Sequence, residues 1–518
     1  MSWSLHWSEV AVLDANAAAL GVPEWELMHS AGSQLAEQAC LILAGELDSP
    51  DGEPAVAEGR VLVLCGPGNN GGDGFVAAAL LAEHDRIDVS IIASHPRSKS
   101  DSALRARGLA QSAGVPIEIC EDSIPANWTE PDLVIDALLG VGPSGMGVSL
   151  RGSIAELTAW VRAALEERDS ACRVLACDVP TGFGTPSCLP ADHTVSFHSA
   201  KLGMLDAAGV VGEGIGVLSI AALPWPPETL DPGPGDLLRF PELDPEAVKG
   251  DRGRLLIVGG GPYHGAPLLA AMAAMRVGCD LVHVAMPQAA AARARWPVDA
   301  IPEPIPDQGT FSRASLPALA ERMDAGRGVQ AVLVGPGLGR VDTTLDAVRG
   351  LLELCVERDI PTVVDADAIA ALPKGGWPRG LRGIATPHVT ELTHWLSSTP
   401  PSEIVERAVR DSGWDPATPE VENICVVRTG ATDELHSPFG RNSSISGGHP
   451  RMSVGGTGDL LAGSAAGLLA SGMNPWPSSR AAVWLLRRAG ENAGEEFGPG
   501  MVARDVPEYI ARVLSELI

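Results

Sequence analysis

Cys65-Gly66-Pro67-Gly68-Asn69-Asn70-Gly71-Gly72-Asp73-Gly74-Phe75 follows the apolar run Val61-Leu62-Val63-Leu64 and precedes the helix-forming Val76-Ala77-Ala78-Ala79-Leu80-Leu81. The order is strand, glycine loop, helix. Glycines at this density remove Cβ atoms that would hold a ligand away from the backbone, so several amide N–H groups can converge on an anion at the helix N-terminus. A phosphate is the expected guest. Tight turns also collect glycine, so the rest of the chain has to decide what the loop does.

Downstream, Val89-Ser90-Ile91-Ile92-Ala93 and Val115-Pro116-Ile117-Glu118-Ile119 read as strands around a helical stretch from Asp101 to Ala113. This alternation predicts a parallel α/β sheet. The strand Leu133-Val134-Ile135 runs into Asp136 and the glycine-bearing Gly140-Val141-Gly142-Pro143-Ser144-Gly145, and Val174-Leu175-Ala176-Cys177 runs into Asp178-Val179-Pro180-Thr181-Gly182. Acids at strand C-termini lie on the edge where open α/β sheets bind ligands. Upstream, Val10 to Ile42 has helical apolar spacing, and Asp48 to Arg60 reads as a surface loop.

Pro224 to Asp236 is too rich in proline and glycine for helix or central strand and marks a domain boundary. We divide the chain into 1–225, a linker 226–240, and 241–518. The second part repeats the strand, glycine, helix logic at Leu255 to Val258 with Gly259-Gly260-Gly261, and again at Val332 to Val334 with Gly335-Pro336-Gly337-Leu338-Gly339. Val363-Val364-Asp365-Ala366-Asp367 places acids at another strand end, and Gly455-Gly456-Thr457-Gly458-Asp459 opens a helix. Such a turn can cradle a transferring phosphoryl group while the adjacent acid takes a proton from the attacking hydroxyl, which makes Asp459 the leading catalytic candidate. An acid in a helix's first turn is also favourable by itself, but that leaves the flanking glycines unexplained.

With 518 residues and 45% hydrophobic content, two or more folded domains are expected. Nine scattered cysteines without a C-x-x-C pair argue against a disulfide framework or structural zinc and suit a reducing cytoplasm. The first residues lack a leader pattern, and no apolar run is long enough to cross a bilayer. A net charge of −28 disfavours nucleic acid and anionic membranes as partners. Among 37 basic residues only Lys99, Lys201, Lys249 and Lys374 are lysine, so lysine at position 201 stands out.

The blocks Cys65 to Val76, Asp132 to Gly145 and Asp178 to Gly182, with Ala191 to Phe197 and Lys201, resemble the epimerase domain of NAD(P)H-hydrate repair enzymes. The part from Lys249 onward resembles the ribokinase-like dehydratase domain of the same enzymes. The resemblance implies a Rossmann-like three-layer α/β domain followed by a ribokinase-like α/β domain. It implies that Asn69, Asn70, Gly71, Gly72 and Asp73, with Gly140, Val141, Gly142, Pro143, Ser144, Gly145 and Met146, contact the hydrated dinucleotide. It implies a potassium site at Asn70, Asp136 and Thr181, a substrate-facing base at Asp178 and a catalytic role for Lys201 near phosphate or Asp178. In the second domain it implies substrate contacts from Ala266, Gly339, His388 and Asp459, and nucleotide contacts from Thr429, Gly430, Ala431, Thr432 and Gly458. The implied cofactors are potassium, magnesium and ADP, the substrates are the hydrates of NADH and NADPH, and a homo-oligomer is expected.

Four departures stand against that pattern. His29 occupies a carboxylate position, Thr429 a lysine position, His449 an asparagine position, and Ala482 to Gly490 carries arginines where a histidine is usual. If strand register is kept, Arg428 points to the face opposite Thr429. His388 is read equally as a substrate contact or a satisfied loop residue. Two other functions remain open: a small-molecule kinase on the same scaffold, and a nucleotide-binding sensor in which one domain has lost catalysis.

Overall fold

The computed structural model describes residues 4–45, 56–120, 130–141, 147–167, 171–206, 208–307 and 309–517. The chain divides into two compact units, Met1–Thr229 and Leu230–Ile518.

The first unit opens with α1 (Trp7–Ala19) and α2 (Glu24–Leu43), so the predicted helical stretch is two helices. The break falls at Leu20-Gly21-Val22-Pro23, where Gly21 takes φ +92 and Pro23 caps α2. Then come β1 (Gly59–Cys65), α3 (Asn69–Leu81), β2 (Ile87–Ala93), α4 (Asp101–Ser112), β3 (Ile117–Ile119), β4 (Leu133–Ala137), α5 (Gly152–Glu167), β5 (Arg173–Cys177), β6 (His193–Phe197) and β7 (Val217–Ala221). Among the described residues the sheet order is β3-β2-β1-β4-β5-β6-β7, all parallel. Val61, Val63 and Cys65 pack under α2, α3 and α4, while Leu62 and Leu64 pack with Leu157 and Val161 of α5 on the opposite face. A strand buried on both faces has to be apolar at every position, which is why β1 reads as a continuous run. The three-layer expectation holds.

The second unit contains β8 (Arg254–Val258), α6 (Ala266–Arg276), β9 (Leu281–Pro287), α7 (Gln288–Arg293), β10 (Ile301–Ile305), α8 (Leu316–Asp324), β11 (Ala331–Val334), α9 (Asp342–Glu357), β12 (Thr362–Val364), β13 (Gly383–Ala385), α10 (Val389–Leu396), α11 (Pro401–Ser412), β14 (Ile424–Arg428), β15 (Asp433–His436), β16 (Asn442–Ile445), α12 (Thr457–Ala470), α13 (Pro475–Phe497) and α14 (Pro507–Leu517). Its strand order is β10-β9-β8-β11-β12-β13-β14-β15-β16 among the described residues, parallel through β14 and antiparallel at the β15 and β16 edge. Helices α6, α12, α13 and α14 cover one face, and α8, α9, α10 and α11 the other.

Residues 230–240 are built into this second unit. Leu237 joins its core, the Arg480 guanidinium clasps the buried Asp236 carboxylate at 2.6 and 3.1 Å, and Arg239 makes a two-point pair with the fully buried Glu422 at 3.1 and 2.8 Å. Both are bidentate, charge-assisted contacts that pin an otherwise irregular segment.

Candidate active sites

In the first unit, close packing explains four of the five glycines in the loop. A Cβ on Gly66 would sit 1.8 Å from the Leu138 carbonyl oxygen, one on Gly71 1.9 Å from the Gly66 carbonyl oxygen, and those on Gly72 and Gly74 2.5 and 2.7 Å from Met28 and Ala137. Gly68 alone faces open space. Most of these glycines therefore serve close packing against β4, α2 and the loop's own backbone, and the open space lies at Gly68, in front of the N-terminal turn of α3.

Across the crevice Asp178 lies just past β5 with φ +66, a conformation unusual for a side chain larger than glycine, and one that marks a tight strand exit. Its Oδ1 accepts hydrogen bonds from Lys201 Nζ at 2.6 Å and Ser196 Oγ at 3.3 Å. Lys201, predicted from its rarity, is only 1% exposed and also donates to Ser196 Oγ and to the carbonyls of Phe197 and Ser199 at 2.9, 3.1 and 3.2 Å. This ammonium lies against Asp178.

Two further acids join them. Burial, then the charges of Asp178 and Asp14, hold the Asp73 carboxyl well above the carboxylate range, and it accepts a long 3.8 Å bond from Cys177 Sγ. Burial and the charges of Asp178 and Glu24 push Asp14 up to about 7. Asp14, on α1, carries no motif signal, because a lone acid on an amphipathic helix looks like any solvated side chain. The resemblance implies a substrate contact at Asp73, and burial favours its neutral form near Asp178.

Asp136 and Thr181 meet as expected. The Thr181 N–H and Oγ1 donate to the two Asp136 oxygens at 2.8 and 2.7 Å, and Leu138 N–H donates to Asp136 at 3.3 Å. Asn70 stands beside them, its amide able to reach the Cys177 carbonyl at 3.1 Å and the Gly140 N–H at 3.2 Å. Asp136 is fully buried, and burial raises its carboxyl to about 6 against its hydrogen bonds, with no basic side chain contributing. The side-chain donors gathered here are oxygens, the ligand type a hard cation takes. Gly140 and Val141 are half-buried at this rim, Val141 against Val179 and Met204, while Gly142, Pro143, Ser144, Gly145 and Met146 lie outside the described residues.

In the second unit α12 starts at Gly456 (φ +101), where a Cβ would strike Leu269 at 2.5 Å. Gly455 and Gly458 face open space, so the room in front of this helix N-terminus is real. Burial and the charge of Asp367 lift Asp459, in the first turn, to about 6. Asp365 is raised well above the carboxylate range by burial and by Asp459, and accepts from Thr386 Oγ1 at 2.7 Å. Asp367 accepts from the Gly339 N–H at 2.8 Å and from Arg340 Nε at 2.7 Å, and Arg340 reaches on to Glu391 at 2.7 Å. Arg340 is thus a cation at the lip, beside Gly339, that no sequence motif singles out. His388 is exposed at the N-terminus of α10, with its N–H on Glu391 at 3.1 Å, and it bridges to Thr429. Ala266 begins α6, half-buried.

A family model described as NAD(P)H-hydrate dehydratase matches residues 255–512, and one described as YjeF-related protein N-terminus matches residues 24–203. A curated bifunctional NAD(P)H-hydrate repair enzyme of Methanothermobacter thermautotrophicus is 34% identical over 98% of this chain and 94% of its own length. The chain belongs to the bifunctional NAD(P)H-hydrate repair enzymes. The member from Salinibacter ruber is 32% identical over 96% of this chain and 93% of its own. Among solved structures, an ADP/ATP-dependent NAD(P)H-hydrate dehydratase from Bacillus subtilis co-crystallised with ATP and Mg2+ is similar at 23% identity and TM-score 0.44, over 55% of this chain and 96% of that one.

Within this family the four departures acquire physical accounts. His29 is exposed beside Trp25, and Glu24 on the same helix supplies the carboxylate that reaches the loop, accepting from Asn69 Nδ2 at 2.6 Å. Arg428 does not replace a lysine at 429, because it faces Glu434 across the β14–β15 register and pairs with it. Arg487, one of the arginines in α13, instead lies under the candidate nucleotide loop. It donates to the carbonyls of Gly430 at 3.0 Å, Ala431 at 3.1 Å and Gly447 at 2.6 Å, and to Asp433 at 2.9 Å, which in turn accepts from the Gly430 N–H at 3.0 Å. Thr432 joins Ser446 at 2.7 Å. His449 caps a short turn through Nδ1 and packs its ring where Gly494 has no side chain, a Cβ there falling 2.1 Å from Cγ.

Proposed function

We propose that the protein repairs hydrated NADH and NADPH. The first unit interconverts the R and S hydrates, and the second dehydrates the S form with ADP, releasing AMP and phosphate. The reading is supported by similarity to this family over 98% of the chain, together with a carboxylate just past a parallel strand in the first unit, Asp178 held by buried Lys201, and one in the first turn of α12 in the second, Asp459 raised to about 6.

The hydrated ring carbon bears a hydroxyl and a ring nitrogen, so inverting it means breaking and remaking one of those bonds while a proton moves. Asp178 takes that proton, Lys201 stabilises the carboxylate, and the neighbouring acids are Asp14, raised to about 7, and Asp73, whose neutral form burial favours. Asn70, Asp136 and Thr181 would hold potassium, which would supply positive charge at the strand end. In the second unit Asp459 takes the proton of the substrate hydroxyl as the phosphoryl group arrives at the turn around Gly458, and phosphate then leaves as the adjacent carbon loses its hydrogen. Thr429, Gly430, Ala431 and Thr432 hold ADP, and Ala266, Gly339 and His388 border the substrate. Asp365 and Asp367 are the carboxylates that would hold magnesium, which would supply positive charge to the nucleotide phosphates.

The test is to incubate the purified protein with mixed hydrates and ADP while following the return of reduced-nicotinamide absorbance. Recovery of both epimers is expected. Recovery of the S form alone removes the epimerase, and phosphorylated product accumulating without elimination makes the second unit a kinase.

A further inference from the structure

NADH and NADPH hydrates differ only in a phosphate monoester on the adenosine ribose, far from the reacting ring. Strand order locates that ribose. The glycine loop lies at the end of β1 and Asp178 at the end of β5, two strands away through β4, roughly 10 Å along the sheet edge. A dinucleotide with its hydrated ring at Asp178 and its diphosphate at the loop continues past β1 on the opposite side. The next strand there is β2.

Strand β2 leads into Ser94-His95-Pro96-Arg97-Ser98-Lys99-Ser100, a run with three basic side chains and no acid in a chain of net charge −28. It also holds one of only four lysines. Three contacts fasten it to the glycine loop: Ser94 N–H to the Cys65 carbonyl at 2.9 Å, Lys99 N–H to the Pro67 carbonyl at 2.7 Å, and Ser100 Oγ to Asn69 Oδ1 at 2.6 Å. Arg107 Nη1 braces it from α4 through the His95 carbonyl at 3.1 Å. His95, Arg97 and Lys99 are exposed, and no ion pair joins Arg97 or Lys99 to a carboxylate among the described residues. In dinucleotide-binding sheets of this kind, an acid at the end of the second strand accepts the ribose 2′-hydroxyl and excludes a 2′-phosphate, whereas a nearby cation admits it. Here that strand ends in Ala93 and Ser94, and the first acid after it is Asp101, already in α4.

Resting on the reading of the first unit as the epimerase, we infer that Arg97 and Lys99 bind the 2′-phosphate and make the NADPH hydrate its preferred substrate. An exposed cation pair against a phosphate dianion should be worth roughly ten- to a hundredfold in kcat/KM, weakening as salt rises.

The experiment follows R-to-S conversion of each hydrate by chromatographic separation, without ADP, in the full chain and in an Arg97→Ala/Lys99→Ala variant. The parent should prefer the NADPH hydrate by at least about tenfold at low salt, and the variant should lose most of that ratio through KM. In the parent, 2′-AMP should inhibit better than 5′-AMP, and in the variant the two should converge. Equal use of both hydrates by the parent, or an equal loss on both in the variant, overturns the inference while leaving the epimerase intact. Failure of the parent to convert either hydrate overturns the epimerase reading and this inference together.

Discussion

Asp459 and Asp14 are both carboxyls displaced upward by burial, and they report on different things. Asp459 has to be ionised to accept a proton, so dehydratase kcat/KM should rise about tenfold per pH unit below about 6 and level off above it, measured with saturating ADP. Asp459→Asn should abolish dehydration, by a factor of about 10³ or more, while R-to-S conversion proceeds unchanged. Normal dehydration by that variant would sink the base assignment. Asp14 has an ordinary carboxyl value of 3.8 and a folded value of about 7, so the folded state holds the proton more tightly than the unfolded chain. That stabilising contribution is complete below the unfolded value and disappears as pH rises through about 7. Asp14→Asn should therefore match the parent in melting temperature near pH 4 and exceed it at pH 8, while epimerisation falls if the acid carries protons for Asp178. The reverse pH trend in melting temperature would place Asp14 in a different environment.

Helix α13 shows how one element can replace a missing side chain at a distance. Position 429 holds threonine, and Arg428 is spent on Glu434, so no strand cation faces the candidate ADP loop. Arg487 organises that loop from beneath through the carbonyls of Gly430 and Ala431, the neighbouring Gly447 carbonyl and Asp433, which also holds the Gly430 N–H. Arg487→Gln leaves Asp433 buried without its partner, which in general costs about 3–5 kcal/mol. We expect a lower melting temperature for the second unit and a KM for ADP raised more than about tenfold with a smaller change in kcat, while epimerisation is unaffected. An unchanged KM would mean that the loop does not bind the nucleotide. The same helix shows why Arg480 and Arg487 look anomalous in sequence: their partners come from β15, from the turn at Gly447 and from the 230–240 segment, all distant along the chain, whereas Arg488 pairs with Glu491 on the helix itself.

On the scale of the whole molecule, two α/β units share one chain, and the join between them is a structural part of the second. Asp236 neutralises Arg480, and Arg239 pairs with Glu422, so a fragment beginning at Pro241 takes from the buried Arg480 its carboxylate partner and from Glu422 its two-point contact with Arg239. A fragment starting at Leu230 should be more stable than one starting at Pro241 by several kcal/mol, on the order of a broken buried pair, read from denaturant midpoints. Equal midpoints would show that the segment merely drapes over the unit. The sequence by itself determined the alternation of strands and helices, the two glycine turns and the acids at strand ends. These are local patterns, in which burial on both faces demands apolar runs and a strand-to-helix turn demands small residues. It also pointed to Lys201, through the scarcity of lysine elsewhere. Only the tertiary structure decided that Lys201 bonds Asp178, that most glycines of the 66–74 loop exist for packing, that Asp14 lies near Asp178, Arg340 beside Gly339 and Arg487 under the loop at Gly430, and that Glu24 reaches the loop from a helix whose residue 29 is histidine. Such relations depend on which distant segments share a sheet edge and on how much water they lose there, and neither is written in any local stretch of chain.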